Sequence, residues 1–315
     1  MKLPAKHSPK LHIKSNKKSY LPSDSALYNL TTKKRLEAII GKTIAEIEAA
    51  GIDENYRVFG LKKGGKTREI QAPKYSLDVI HTRIASLLVR VAVPDYLHSG
   101  IKGRSNITNA KAHIGNHPLL TMDIQKFYPS ISKKSIFNFF HIRMNASRDV
   151  AGILAEVCSY KDCLPTGSRI SMPLSFWVNY EMYSKLESLC LNKGIIMTVF
   201  VDDFTFSGDQ VDEKFKKHAK KIIKESGLEV HPRKTRLFGK GFPRVVTGAL
   251  VDGSGIKVRN KHHKSIYTLF GEIEKCSDDK KLEKMQMQLL GKLSAAGQID
   301  KSFKNKAAQF RKAIC

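Results

Sequence analysis

Two hydrophobic patterns alternate along this 315-residue chain. Apolar residues recur every three or four positions over Thr31–Ala50 (Leu36, Ile39, Ile40, Ile44, Ile47) and over Ser76–Val93 (Leu77, Ile80, Ile84, Leu87, Leu88, Val91). That spacing lines one face of a helix and predicts one helix in each segment. Further helices are expected over Ser132–Phe140, Ser147–Tyr160, Pro173–Asn192 and Lys214–Ser226, and then over Ser265–Lys275, Lys280–Ala296 and Lys301–Ile314. Between them lie short, largely apolar runs without a helical period: Leu119-Leu120-Thr121-Met122, Ile195 to Val201, and Phe204-Thr205-Phe206. Runs of this kind read as strands. The mixture predicts an α+β fold in which antiparallel strands are backed by helices.

Acids stand at the ends of these strands. Asp202 and Asp203 sit side by side at the expected bend between two of them, and Asp123 closes the run from Leu119. Adjacent carboxylates on a hydrophobic hairpin cost several kcal/mol unless cations or donors meet them. A solvated turn would account for the pair, and a cap for Asp123, if each stood alone. Together they supply three carboxylates, and hard Mg²⁺ prefers carboxylate oxygens together with phosphate oxygens. Two-metal sites hold ions about 3.5–4 Å apart and clamp both oxygens of an in-line phosphoryl displacement. Such a site looks like that of a nucleotide polymerase.

One Asp followed about eighty residues later by an Asp pair resembles the palm of reverse transcriptases, and other segments follow in that family's order. The resemblance implies a right-hand architecture with fingers, an antiparallel palm sheet backed by helices, and a small helical thumb. Asp123, Asp202 and Asp203 would be catalytic, and the implied metal set is Asp123, Ile124, Asp202 and Asp203, holding two Mg²⁺ ions with Mn²⁺ as a substitute. Lys62–Pro73, turning at Gly64-Gly65, resembles the fingers hairpin. Arg68 would clamp the incoming triphosphate with Lys66 or Lys62 assisting, a task that suits the planar guanidinium fork. Leu164–Ser175 resembles the segment beneath the nucleotide, where Gly167 lets backbone approach the ligand. Thr166 stands there in place of the family's Gln, Phe176-Trp177 in place of its Asn, and Phe200-Val201 replaces Tyr-Ala ahead of the aspartates. Tyr128 falls at the sugar gate that excludes a 2′-hydroxyl, and Lys234 near the pyrophosphate leaving group. Asn109-Ala110-Lys111-Ala112-His113 and Val246-Thr247-Gly248 match two short elements of retron reverse transcriptases. Asn109 and His113 are accordingly placed in RNA or local-fold recognition.

Composition adds a partner. Lys+Arg 55 against Asp+Glu 29 gives a net charge of +26, which calls for a polyanion through phosphate neutralisation. Hydrophobic residues at 41% are enough for packed cores. No apolar run reaches membrane-spanning length, and five cysteines without paired zinc spacing read as free thiols of a reducing cytoplasm, which the resemblance implies is bacterial. The expected organisation is a basic arm (1–25), fingers with N-terminal helices (26–118), palm (119–250) and helical thumb (251–315). Arg259, Lys261, His262 and Lys264, interleaved with Tyr267 and Phe270, are expected to bind RNA.

The resemblance implies these partners: a cognate noncoding RNA and its complementary DNA, deoxynucleoside triphosphates, a separately encoded effector and host ribonuclease H. It further implies priming from an RNA 2′-hydroxyl, a branched product and a role in antiphage defence. Two alternatives stay open. One is another bacterial reverse transcriptase, of group II intron-like or stand-alone defence type; the other is a noncatalytic RNA-binding protein on a palm scaffold.

Overall fold

The computed structural model of the chain describes residues 10–314, Lys17 and Gly64 excepted. Most of the first ten residues of the expected basic arm, and Cys315, therefore lie outside the described residues. In chain order the elements are α1 (Lys33–Ile40), α2 (Ile44–Ala50), β1 (Tyr56–Lys63), β2 (Lys66–Pro73), α3 (Tyr75–Leu88), α4 (Asn106–Lys111), β3 (Leu119–Asp123), α5 (Lys133–Asn138), α6 (Arg148–Val157), α7 (Ser171–Val178) and α8 (Tyr180–Leu191). They continue with β4 (Ile196–Phe200), β5 (Asp203–Ser207), α9 (Glu213–Glu225), β6 (Arg236–Phe238), β7 (Arg244–Val246), β8 (Ala249–Val251), β9 (Ile256–Lys257), α10 (Asn260–Glu274), α11 (Asp279–Ala296) and α12 (Lys301–Ile314). The expected α+β class holds.

Two long helices read from periodicity are each broken in two. Over 31–50, Gly41 takes a left-handed φ of 76° and ends α1, its N–H bonding back to Glu37 O. Thr43 then opens α2 with a reciprocal capping box to Glu46, which satisfies two otherwise unpaired amides. Over 173–192, α7 starts before Pro173, in the first turn where proline costs no hydrogen bond. It stops at Asn179, whose side-chain amide donates to Ser175 O at 2.8 Å. Hydrophobic spacing persists across both breaks, so it could not reveal them.

The chain forms two compact units, each assembled from separate stretches. One comprises Met1–Asp95, Ile124–Ser188 and Ala219–Val230; the other comprises Tyr96–Asp123, Leu189–His218 and His231–Cys315. These cut across the consecutive segments expected from the sequence, because strand pairing joins stretches far apart in the chain.

In the first unit β1 and β2 form a hairpin in register from Tyr56↔Pro73 to Lys63↔Lys66. Leu77, Ile80, Ile84 and Leu88 of α3 are buried. The segment from Thr166 is clamped to β2 by one side chain and its own backbone. Gln71 N donates to Thr166 O, and Thr166 N donates to Gln71 Oε1, both at 2.7 Å. Beside it His81 is buried between Ser168 Oγ at 2.6 Å and Val157 O at 2.7 Å, and Arg169 pairs with Asp78. A carbonyl can only accept, so the nitrogen facing Val157 carries the proton and Ser168 donates to the other. Burial pushes His81 down to about 4, consistent with that neutral tautomer.

The second unit holds a four-stranded antiparallel sheet, ordered β4-β5-β3-β6, and a three-stranded sheet, β7-β8-β9. Leu120, Met122, Val199, Phe204 and Phe206 are buried. Helices α10 to α12 close around Ile266, Leu269, Leu289, Leu293 and Phe303.

Gly167 has a φ of 115°, and a Cβ there would lie 2.6 Å from Ile70 Cγ2 and 3.3 Å from Gln71 O. Gly167→Ala is therefore expected to destabilise the protein by about 1–3 kcal/mol through backbone strain alone. A urea-unfolding midpoint equal to wild type would count against this account.

Candidate active site

The register of β3, β4 and β5 assembles the acids. Asp123 lies opposite Asp203, and Phe200 opposite Asp203 on the other side. Only Val201 and Asp202 are left to form the turn. Side chains one step along the strands, Met122 and Phe204, are buried apolar residues. The acids thus emerge where the apolar sheet ends, and one carboxylate oxygen from each of Asp123, Asp202 and Asp203 falls within 4.8 Å of the others.

This grouping carries an electrostatic penalty. Asp123 is only 7% exposed. The Asp203 carboxyl is pushed up to about 7, first by burial, then by the neighbouring Asp202 and Asp123 charges, with Lys234 pulling it partly back. Lys234 is the compensating charge: its Nζ stands 2.6 Å from Asp123 Oδ2. The backbone prepares that contact. His231 N donates to Asp123 O at 2.6 Å, and Lys234 N donates to His231 O at 3.1 Å, so a tight turn over Pro232–Lys234 delivers the ammonium. A cavity of about 570 Å³ opens here, lined by Asp123, Asp203, Phe200, Lys234, Arg236 and Arg259 among others.

The donor set fits a hard divalent ion: three carboxylates, partly desolvated and mutually repelling, two of which, Asp123 and Asp203, line an open cavity. Asp123, Asp202 and Asp203 are the residues that would hold it. Ile124 turns its side chain into the core and bridges Val230 through its backbone, so only its main chain is available to an ion.

The two short elements near this hairpin meet each other. Asn106 Nδ2 donates to Thr247 O at 3.2 Å, Thr247 Oγ1 donates to Asn106 O at 2.7 Å, and Asn109 Nδ2 reaches Thr247 Oγ1 at 3.4 Å. His113 lies between Ser207 Oγ and Thr198 Oγ1, each at 2.7 Å. Its ring ties β4 to β5, and burial holds it neutral, down to about 3, with His98 and Arg244 adding to the effect. Asn109 is 0% and His113 1% exposed. The expectation that these two side chains contact RNA is corrected: they are closed inside the protein and serve its packing.

Arg259 is half-buried beside the cavity, whereas Lys261, His262 and Lys264 are exposed on α10. Tyr267 is 72% exposed. Phe270 was expected to alternate with the basic residues on the binding face; it instead packs edge-on against Phe310 at 5.7 Å, in the α10–α12 core. In the first unit Arg68 and Lys62 are exposed on the hairpin. Lys66 belongs to β2 by its backbone, and its side chain lies outside the described residues. Tyr128 is half-buried, with Phe127 beneath it at a ring distance of 5.5 Å. Gln71 and His81, which brace the segment carrying Gly167, gave no sequence signal: one sits in a strand, the other on an apolar helix face.

A family of RNA-copying polymerases accounts for these features. The model of the family described as reverse transcriptase (RNA-dependent DNA polymerase) matches residues 60–291. The chain belongs to the reverse transcriptase family, and its resemblance to the retron type is borne out by its curated relatives. It is 26% identical over 220 residues to the retron Ec86 reverse transcriptase of Escherichia coli, covering 68% of each chain. It is 31% identical over 229 residues to the retron Se72 reverse transcriptase of Salmonella heidelberg (strain 579083-10), covering 69% of this chain and 57% of that one. Among solved structures it is similar to apo telomerase from Candida Tropicalis, 13% identical, covering 76% of this chain and 52% of that one, with a TM-score of 0.49. Among the described residues no helix is long and apolar enough to cross a membrane.

The raised Asp203 carboxyl sets a pH dependence. Its ordinary value is 3.8 and its folded value about 7, so its contribution to stability is present in acid and is lost as pH rises through 7. Metal-free protein is expected to melt at a lower temperature at about pH 8 than at about pH 6, and Mg²⁺ to restore more at the higher pH, since ligands must be deprotonated. A Mg²⁺-induced shift in melting temperature that is the same at both pH values would contradict this.

Proposed function

We propose that this chain is the RNA-directed DNA polymerase of a retron, copying part of a cognate structured noncoding RNA into single-stranded DNA. The observation that carries the reading is the convergence of Asp123, Asp202 and Asp203 at one sheet end in a chain of this family. Bound divalent ions, Mg²⁺ with Mn²⁺ as substitute, would activate the attacking hydroxyl and neutralise the departing pyrophosphate. Asp123, Asp202 and Asp203 would hold those ions. Lys234, paired with Asp123, would meet the leaving phosphates as a charge or proton donor.

Roles for Lys66, Arg68, Tyr128 and Gly167 in nucleotide binding rest on their place in the motif order. Exposed Lys261, His262 and Lys264, with Arg259, are proposed to bind the RNA, with Tyr267 available for stacking. Priming from an RNA 2′-hydroxyl, a branched RNA–DNA product, removal of RNA by host ribonuclease H, a separately encoded effector and an antiphage role in the bacterial cytoplasm complete the proposal. The retron relatives and the two short elements support it over another bacterial reverse transcriptase type.

Expression of the gene with its native upstream region tests the proposal. A discrete short single-stranded DNA should accumulate, shift on debranching, and fall about a thousandfold with Asp203→Asn, the several kcal/mol that metal-held charge stabilisation supplies. DNA synthesis on an ordinary annealed primer, with no such DNA in cells, would assign the chain to another reverse-transcriptase type. Tyr128→Ala should raise incorporation of ribonucleotides relative to deoxynucleotides; unchanged discrimination would remove Tyr128 from the gate.

A further inference from the structure

The turn that carries Asp202 is built against its own sequence. Phe200 pairs with Asp203, so the loop between β4 and β5 has two residues, Val201 and Asp202. Val201 has a φ of 60°, and Asp202 is not among the residues with positive φ. This is the sign pattern of a type II′ hairpin turn, whose first position ordinarily takes glycine. A β-branched residue in the left-handed region is a genuine outlier that persists only where its surroundings over-determine it.

The surroundings do so through one side chain. Val201 N donates to Ser99 Oγ at 3.0 Å, and Ser99 is 5% exposed. Ser99 is held beneath the turn by a short parallel bridge between Leu97 and Val199. In it Val199 N donates to Tyr96 O at 2.8 Å and His98 N donates to Val199 O at 2.9 Å. Arg104 Nη1 bonds Leu97 O at 2.8 Å, and Gly100 turns the chain away at a φ of 70°. Ser99 thus ends a backbone segment docked on β4, with its hydroxyl aimed at the amide of the strained Val201.

We propose that Ser99 is a positioning residue of the metal site: its hydroxyl holds the Val201-Asp202 turn in the conformation that presents the Asp202 carboxylate beside Asp123 and Asp203. The proposal rests on the polymerase reading only in taking Asp202 as a metal ligand. Without the hydroxyl the Val201 amide loses its buried partner, and the turn relaxes toward conformations that valine prefers. Asp202 then spends less time in register with the other two acids.

Mn²⁺ binding to the full-length protein, measured by water-proton relaxation without nucleic acid, provides the test. Asp202→Asn identifies the site by weakening that binding. Ser99→Ala is expected to bind Mn²⁺ about three- to tenfold more weakly, the worth of one buried hydrogen bond, and to exchange the Val201 amide faster. Ser99→Thr, which keeps the hydroxyl, should restore most of the affinity. Val201→Gly removes the strain, so adding Ser99→Ala in that background should cost clearly less than in the wild type. Ser99→Cys, with a weaker acceptor of similar size, should fall between serine and alanine, and serves if the alanine variant does not fold.

Wild-type Mn²⁺ affinity in folded Ser99→Ala or Ser99→Cys would overturn the proposal. So would an equal loss from Ser99→Ala in the wild-type and Val201→Gly backgrounds. Wild-type protein that binds Mn²⁺ through Asp202 yet makes no DNA would defeat the polymerase reading and leave the positioning role standing.

Discussion

Three carboxylates must be held together at the edge of an apolar sheet, and much of the second unit answers to that constraint. Their positions follow from strand register. β3 pairs with β5 so that Met122 faces Phe204 and Asp123 faces Asp203. A slip of one residue would turn Met122 outward and bury Asp123 against phenylalanine, since side chains alternate faces along a strand. The same apolar pattern that folds the sheet therefore fixes the acids in space. Their mutual repulsion is left for cations to relieve. Lys234 meets Asp123 from a turn whose backbone is anchored on Asp123 itself, so the acid positions its own counter-charge.

The acids were legible because they break a pattern. A charged pair within an apolar run is conspicuous in a linear reading, and a strand ending in a single Asp gains meaning once the pair is known. The hairpin, the α+β class and the C-terminal helices were legible for a similar reason: periodicity is a local property. What escaped depends on contacts between distant residues. Gln71 clamps Thr166 across 95 positions, and Ser99 meets Val201 across 102. Nothing near either polar residue in the chain sets it apart from a solvated neighbour. Helix breaks at Gly41 and Asn179 escaped for another reason, since buried positions continue through them with the spacing of one helix.

The Thr166 substitution illustrates how a departure from a family pattern can be absorbed. In this chain the backbone at position 166 is held on both sides by Gln71, through its main-chain N–H and its side-chain carbonyl. The amide function comes from β2 while a small threonine occupies the segment itself. Gly167 next to it then lies against Ile70 and the Gln71 carbonyl without room for a side chain. The segment is tied to the hairpin through the main chain of Thr166, not its side chain.

The Asn-Ala-x-x-His and Val-Thr-Gly elements carry the retron resemblance, and their placement separates two meanings of a signature. A short motif marks a family either because its side chains touch the ligand or because they hold a local fold. Asn106 and Asn109 spend their amides on Thr247, at a turn where Thr247 and Gly248 both have positive φ. His113 fastens both strands of the catalytic hairpin at the end away from the acids. With both ring nitrogens of buried His113 bonded, that contact demands particular residues at particular spacings and produces a recognisable motif. Exposed Lys261, His262 and Lys264 on α10 carry no comparable signature, since binding a polyanion, as proposed for them, needs charge more than spacing.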